Sequence, residues 1–111
     1  MSKQSVRLDR VFHALADTTR RGVLERLSGG SAPVSELAQP FDMALPSFSQ
    51  HLKVLEASGL VRSHKIGRKR TYQLAPQQLK LAEHWMEKQR SLWERRLDQL
   101  DTYLTKLKDK K

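Results

Sequence analysis

The sequence predicts a mainly α fold with one small β-hairpin (α+β), in the order α-α-α-α-β-β-α, and three observations carry that prediction. Apolar residues recur at helical spacing in four short runs before residue 58, separated by Asp, Gly, Ser and Pro. The period then drops to two on either side of Gly67-Arg68. From Pro76 onward no helix breaker interrupts the chain, and apolar side chains stand seven apart.

Leu8, Val11, Phe12, Leu15 and Ala16 form the inward stripe of a first amphipathic helix, with Asp9, Arg10 and His13 between them. Asp17 or Thr18 suits the N-cap of a second, in which Val23, Leu24 and Leu27 face inward and Arg20, Arg21, Glu25 and Arg26 face outward. Ser28-Gly29-Gly30 ends it. Ser35 is positioned to cap a third short helix carrying Leu37, Ala38 and Phe41, which stops near Pro40.

Pro46 fits the first turn of a fourth helix, where its missing N–H is harmless, and Phe48, Leu52 and Leu55, with Val54, give that helix its inward side. Two short helices joined by a tight turn make a helix-turn-helix unit. From Leu60 a hairpin follows, in which Gly67 can take the positive φ that a type II′ turn demands at its first position. That register sets Val61 against Leu74, Ser63 against Tyr72 and Lys65 against Arg70. Two like charges directly opposed are unfavourable unless an anion lies nearby, which hints at phosphate contact.

On the last segment Leu79, Met86, Trp93, Leu100 and Leu107 form one seam, and Leu97 and Leu104 add a second. A heptad seam on a long helix needs another helix to cover it, so this segment is expected to dimerise. The chain therefore divides, within a single domain over 1–111, into a core over 5–75, a dimerisation helix over 76–107 and a basic tail over 108–111, the end of a Lys-rich stretch from Lys106 that is expected to fray.

The formal net charge is +9 over 111 residues, and it is unevenly spread. Between Ser47 and Arg70 stand Lys53, Arg62, Lys65, Arg68, Lys69 and Arg70 against one acid, Glu56. Such a local field favours a polyanion, of which nucleic acid is the commonest. There is no cysteine, which removes disulfides, thiolate metal sites and thiol redox chemistry. No apolar run approaches the ~18 residues a membrane span needs, and the first ten residues lack a signal-peptide core, so a cytoplasmic, nucleoid-associated protein without membrane partners is expected.

Short polar side chains on an exposed helix read base edges, while nearby Lys and Arg hold phosphates. Ser47, Ser49, Gln50, His51 and Lys53 on the fourth helix, and Lys65, Arg68, Lys69 and Arg70 on the hairpin, are the candidate DNA-binding residues. Gln50 is the candidate base reader, since Gln pairs bidentately with adenine. The competing readings are a solvated helix face and a solubilising hairpin tip, and His51 has a further alternative: turned inward as a neutral imidazole that fixes local geometry. Arg20 and Arg21 oppose the dipole of their helix, which leaves phosphate-backbone contact open to them.

His84 and Glu87, with His13 and Asp9, are candidates for a metal site, but ordinary surface hydrogen bonding is the expected reading. Trp85, Trp93 and Tyr103 are expected to be simple packing rather than an effector pocket. No nucleophile–base pair and no Gly-rich phosphate loop is present, so an enzyme is not expected.

With these elements in order, the chain resembles the ArsR/SmtB family of bacterial winged-helix repressors, from roughly Leu8 to Leu104. The likeness is carried by Ala14-Leu15-Ala16-Asp17-Thr18-Thr19-Arg20, by Ser35-Glu36-Leu37-Ala38, by Ser49-Gln50-His51-Leu52-Lys53-Val54-Leu55 with Ser58-Gly59-Leu60-Val61, and by Gly67-Arg68-Lys69-Arg70-Thr71-Tyr72-Gln73-Leu74. The resemblance implies a winged helix-turn-helix fold and a homodimer whose first and last helices form the interface. Leu8, Phe12, Met86, Trp93, Leu97, Leu100 and Leu104 are the interface candidates. It also implies that the paired fourth helices enter successive major grooves of double-stranded DNA at a near-palindromic operator.

Some members sense metals through a Cys-x-Cys pair in the third helix, and the corresponding stretch here, Glu36 to Gln39, has none. Others use an Asp-x-His pair and a His-x-x-Glu pair on the last helix. The first pair's place near Pro76 to Gln78 holds no ligand, and His84 and Glu87 come earlier than that pattern requires. No metal and no cofactor is therefore expected, and any effector is unknown. The competing functions are a protein–protein interaction module using the C-terminal helix, and non-specific nucleoid DNA binding.

Overall fold

A computed structural model of the chain describes residues 2–109. Its elements are α1 (Lys3–Leu15), α2 (Thr18–Leu27), β1 (Ala32–Pro33), α3 (Val34–Ala38), α4 (Leu45–Ala57), β2 (Val61–Ile66), β3 (Lys69–Leu74) and α5 (Pro76–Asp109). The fold is mainly helical with a small antiparallel sheet, as the sequence predicts, and the sheet has one strand more.

That strand, β1, lies beside β3, so the order is β1-β3-β2, with Ala32 opposite Tyr72 and Pro33 opposite Thr71. A two-residue strand shows no period, and Pro33 can occupy it because an edge position requires less of its missing donor. The pairing also displaces an expected cap. Pro33, held extended at φ −76° and ψ 161°, is the N-cap of α3, and Ser35 falls inside the first turn. Phe41 lies beyond the end of α3 and stacks on Phe48 of α4 at 5.6 Å between ring centroids.

The hairpin keeps the register that its turn dictates: Val61 pairs with Leu74, Ser63 with Tyr72 and Lys65 with Arg70. Gly67 has φ +63° and no non-Gly residue has positive φ among the described residues, as a type II′ turn at Gly67-Arg68 requires. At the other end Gly59 turns the chain from α4 into β2 at φ +79°. A Cβ there would come within 2.6 Å of Gln78 Cγ, so both backbone and space select glycine.

The core gathers one face of each element: Val11 and Ala14 from α1, Val23 and Leu27 from α2, Leu37 from α3, Phe48, Leu52 and Leu55 from α4, Val61 and Tyr72 from the hairpin, and Ala82 from α5. Each such side chain removed from water stabilises by roughly 1.5–3 kcal/mol for its larger members. α5 joins this core only through its first two turns. Beyond it, Trp93 is 66% exposed, Leu97 55%, Leu100 51% and Leu104 47%, an apolar seam with no partner among the described residues.

The radius of gyration, 20.4 Å, reflects this projection, since a compact chain of this length would have about 13 Å. Contrary to the expected frayed tail, Lys106 to Asp109 are helical; Lys110 and Lys111 lie outside the described residues. α1 likewise begins ahead of residue 5, at Lys3, with the Ser2 side chain accepting from Ser5 N–H at 3.1 Å. No helix among the described residues is long and apolar enough to cross a membrane.

Candidate nucleic-acid interface

α4 stands on its apolar side against α2 and the sheet, and this fixes what its other side presents. Ser47, Gln50 and Lys53 are exposed, and Ser49 and His51 are half-buried. Ala44, at the N-cap, offers no side-chain acceptor, so the first N–H groups of α4 are left for another partner. A helix N-terminus in that state attracts anions. Leu45 at the first helical position is 59% exposed, an apolar side chain at the head of a polar face that the sequence reading did not single out. Its omission is understandable, because a lone Leu before Pro46 carries no periodic signal.

On the wing, Lys65, Arg68, Lys69 and Arg70 are all exposed. Lys65 and Arg70 do stand opposite each other, and Arg70 has a partner inside the chain. Arg70 Nη1 donates to Ser63 Oγ at 2.9 Å, and Ser63 Oγ in turn donates to Glu56 Oε1 on α4. A carboxylate of the same chain thus lies one hydroxyl away from Arg70. The same Glu56 charge adds to burial, the larger cause, in pushing the Tyr72 hydroxyl above its ordinary range.

Arg20 is the largest departure from the sequence reading. Expected to face outward, it is 9% exposed and bound on three sides. Its Nε donates to Ala14 O at 2.8 Å, Nη2 to His13 O at 2.9 Å and Nη1 to His51 Nδ1 at 3.1 Å. Arg21 follows the same course, with Nη1 donating to Leu15 O at 2.8 Å. Both cations oppose the dipole of α2 but cap the carbonyl end of α1, where positive charge is favourable. Arg20 is thereby turned into the fold, with three of its five N–H groups engaged by acceptors of its own chain.

His51 is turned inward, its side chain 22% exposed, with Asp17 Oδ2 3.6 Å from Nδ1. Asp17 is the N-cap of α2, accepting from Arg20 N–H at 3.0 Å. That bond is the main reason its carboxyl is held below the ordinary carboxylate range, with the His51 and Arg20 charges assisting against the opposing effect of burial. The structure therefore groups Ser47, Ser49, Gln50 and Lys53 on one helix beside the basic wing, and sets His51 behind them.

The remaining candidates sit elsewhere. Leu8 and Phe12 are partly buried against the core, and Phe12 meets Trp85 edge-on at 5.5 Å, so they are partly occupied within their own chain. Trp85 borders a shallow groove with Ser5, Leu8 and His84, which neither Trp93 nor Tyr103 reaches. Asp9 and His13 line a separate groove beside Val54 and Ala57. Among the described residues no group of three His, Cys, Asp or Glu side chains is placed to hold a metal ion.

A helix-turn-helix domain family model matches residues 15–64. The chain is 48% identical over 68 residues to the HTH-type transcriptional regulator Rv2034 of Mycobacterium tuberculosis, a match covering 61% of this chain and 64% of that protein. It is 33% identical over 79 residues to the transcriptional repressor SdpR of Bacillus subtilis, covering 71% of this chain and 88% of that one. Among solved structures, an ArsR family transcriptional regulator superposes with a TM-score of 0.79 at 52% identity, covering 85% of this chain and 97% of that chain. The homodimeric winged helix-turn-helix domain Mb0332 of Mycobacterium bovis superposes with a TM-score of 0.62 at 26% identity, covering 86% of this chain and 90% of that chain. The chain belongs to the ArsR/SmtB family of winged helix-turn-helix transcriptional regulators.

Proposed function

We propose that this chain is a homodimeric, metal-independent transcriptional repressor that binds a near-palindromic operator through α4 and the wing, residues 5–75 acting as the DNA-binding unit and 76–107 as the dimerisation helix. The observation that carries it is that Ser47, Gln50 and Lys53 on α4 and Lys65, Arg68 and Lys69 on the hairpin that follows it are all exposed. Gln50 reads a base edge in the major groove; Ser47, Ser49, Lys53 and the wing cations hold phosphates. Leu45 adds an apolar surface of the kind that meets a thymine methyl.

The homodimer follows from the seam of α5. The seven apolar side chains of that seam, Leu79, Met86, Trp93, Leu97, Leu100, Leu104 and Leu107, stay at least 37% exposed, and a second copy supplies a matching face. Leu8 and Phe12 contribute at the edge of that seam. The homodimeric relative Mb0332 supports this reading, and the repressor SdpR supports the direction of regulation. A regulator of this kind works at the nucleoid, in the cytoplasm, and needs no catalytic group.

Non-specific stacking on single strands is disfavoured, because the one aromatic of the hairpin, Tyr72, is buried. Selection of bound fragments from a random duplex pool tests the proposal. Enrichment of an inverted repeat with half-sites about 10 bp apart is expected. Recovery of unrelated sequences with equal affinity contradicts it.

A further inference from the structure

The contacts of Arg20 carry an inference that rests on α4 reading duplex DNA and goes beyond it. A guanidinium has only hydrogens to offer, so His51 Nδ1, 3.1 Å from Arg20 Nη1, must accept. The ring is then neutral and carries its proton on Nε2. Two further bonds from the same guanidinium reach His13 O and Ala14 O, so one buried side chain links the end of α1 to the middle of α4.

We propose that Arg20 and His51 are positioning residues for operator recognition, locking α4 against α1 and α2 while His51 is neutral and releasing it when His51 is protonated. A proton on Nδ1 turns the acceptor into a donor pointed at the guanidinium, which removes one bond and places two positive charges in contact. The available acceptor is Asp17 Oδ2, 3.6 Å away at the N-cap of α2. To reach it the ring must shift, and its helix carries Gln50 as the neighbouring residue.

The charged groups around His51 are few. Arg20 and Asp17 face it from α2 and its cap, α1 presents backbone carbonyls to Arg20 and the His13 side chain in the groove beside Val54, and Glu56 ties α4 to Ser63 of β2 further along the helix. Histidine is the group among these that changes charge between about pH 8 and about pH 5.

The sign of the pH effect separates this role from direct DNA contact. A histidine touching phosphate strengthens binding as it gains charge; a positioning histidine weakens it. The experiment is fluorescence anisotropy with the duplex selected by the protein, at constant ionic strength, from about pH 8 to about pH 5, on wild type and His51→Asn. Asparagine keeps an acceptor near the Nδ1 position and cannot take up the proton.

Relative to His51→Asn, wild-type affinity is expected to fall about three- to thirtyfold on acidification. The other histidines are common to both proteins and cancel in the comparison. Nitrogen NMR of the DNA-free protein at about pH 8 is expected to place the His51 proton on Nε2. Arg20→Lys, which cannot span three acceptors at once, is expected to lower the ratio of selected to random duplex binding.

Parallel curves, a wild type that binds more tightly in acid than His51→Asn does, or a proton on Nδ1 would each overturn the positioning role while leaving α4 as the reading helix. Absence of duplex binding at every pH, with the Nε2 proton in place, would instead be a failure of the proposed function and would remove the positioning role with it.

Discussion

Arg70 and Ser63 meet across the two strands of the wing, Nη1 donating to Oγ at 2.9 Å, and through Ser63 the wing is fastened to Glu56 of α4. α4 and the wing are therefore one unit with a carboxylate at its joint. That carboxylate lowers the net positive charge of the surface, and the bond to Ser63 gives Arg70 a partner inside the chain.

Glu56→Gln removes this charge and weakens the acceptor behind Ser63, which leaves Arg70 more available. Binding to random duplex is expected to tighten, with the slope of log K against log salt steepening by up to about 0.9, one additional phosphate contact. Anisotropy titrations over a series of salt concentrations measure it; an unchanged slope would show that Arg70 stays on Ser63.

Lys69 is exposed on the wing and has no such tether. Lys69→Ala is expected to flatten the same slope by about 0.9 and to weaken selected and random duplexes alike. Gln50→Ala is expected to behave oppositely, leaving the slope alone and reducing discrimination between them by about 1–3 kcal/mol. The two substitutions, compared on the same pair of duplexes, separate phosphate holding from base reading.

Gly59 and Gly67 both have positive φ, but only Gly59 is crowded, with Gln78 Cγ 2.6 Å from where a Cβ would lie. Gly67→Ala is expected to cost about 1 kcal/mol from backbone conformation alone, and Gly59→Ala about 2 kcal/mol or more. Urea unfolding of the two variants provides the comparison, and equal midpoints would contradict the assigned crowding.

Asp17 caps α2, and its carboxyl is held low chiefly by the Arg20 N–H. A carboxyl depressed in the folded state contributes stability that is present above its unfolded pKa and lost as pH falls through its folded one. Asp17→Ala is therefore expected to cost about 1 kcal/mol at neutral pH, a deficit that narrows below roughly pH 4. Thermal melts of variant and wild type at both ends of that range test the sign.

Much of the architecture was legible because local chemistry fixed it. The Gly67-Arg68 turn determines which residues face each other, so Val61 against Leu74 and Lys65 against Arg70 could be read directly. Phe48, Leu52 and Leu55 placed the inner face of α4, and with it the polar residues on the other side. β1 escaped notice because two residues, one of them proline, have no period.

Arg20 was misread because its partners are non-local: carbonyls at the end of the preceding helix and a histidine 31 residues away. The available signal was a misfit, a cation three residues after an N-cap Asp, where an acid would suit the dipole. Such a misfit indicates a partner outside the helix. The link from Arg70 through Ser63 to Glu56 was not legible, since Glu56 and Ser63 belong to different elements whose docking no pattern in the sequence specifies.

The central claim is that two copies, joined along α5, hold two α4 helices at the pitch of duplex DNA. Sedimentation of the chain alone and with its selected duplex tests it most directly. A dimer is expected in both samples, with two chains per duplex; a single chain at working concentration, alone and on the duplex, is incompatible with that arrangement.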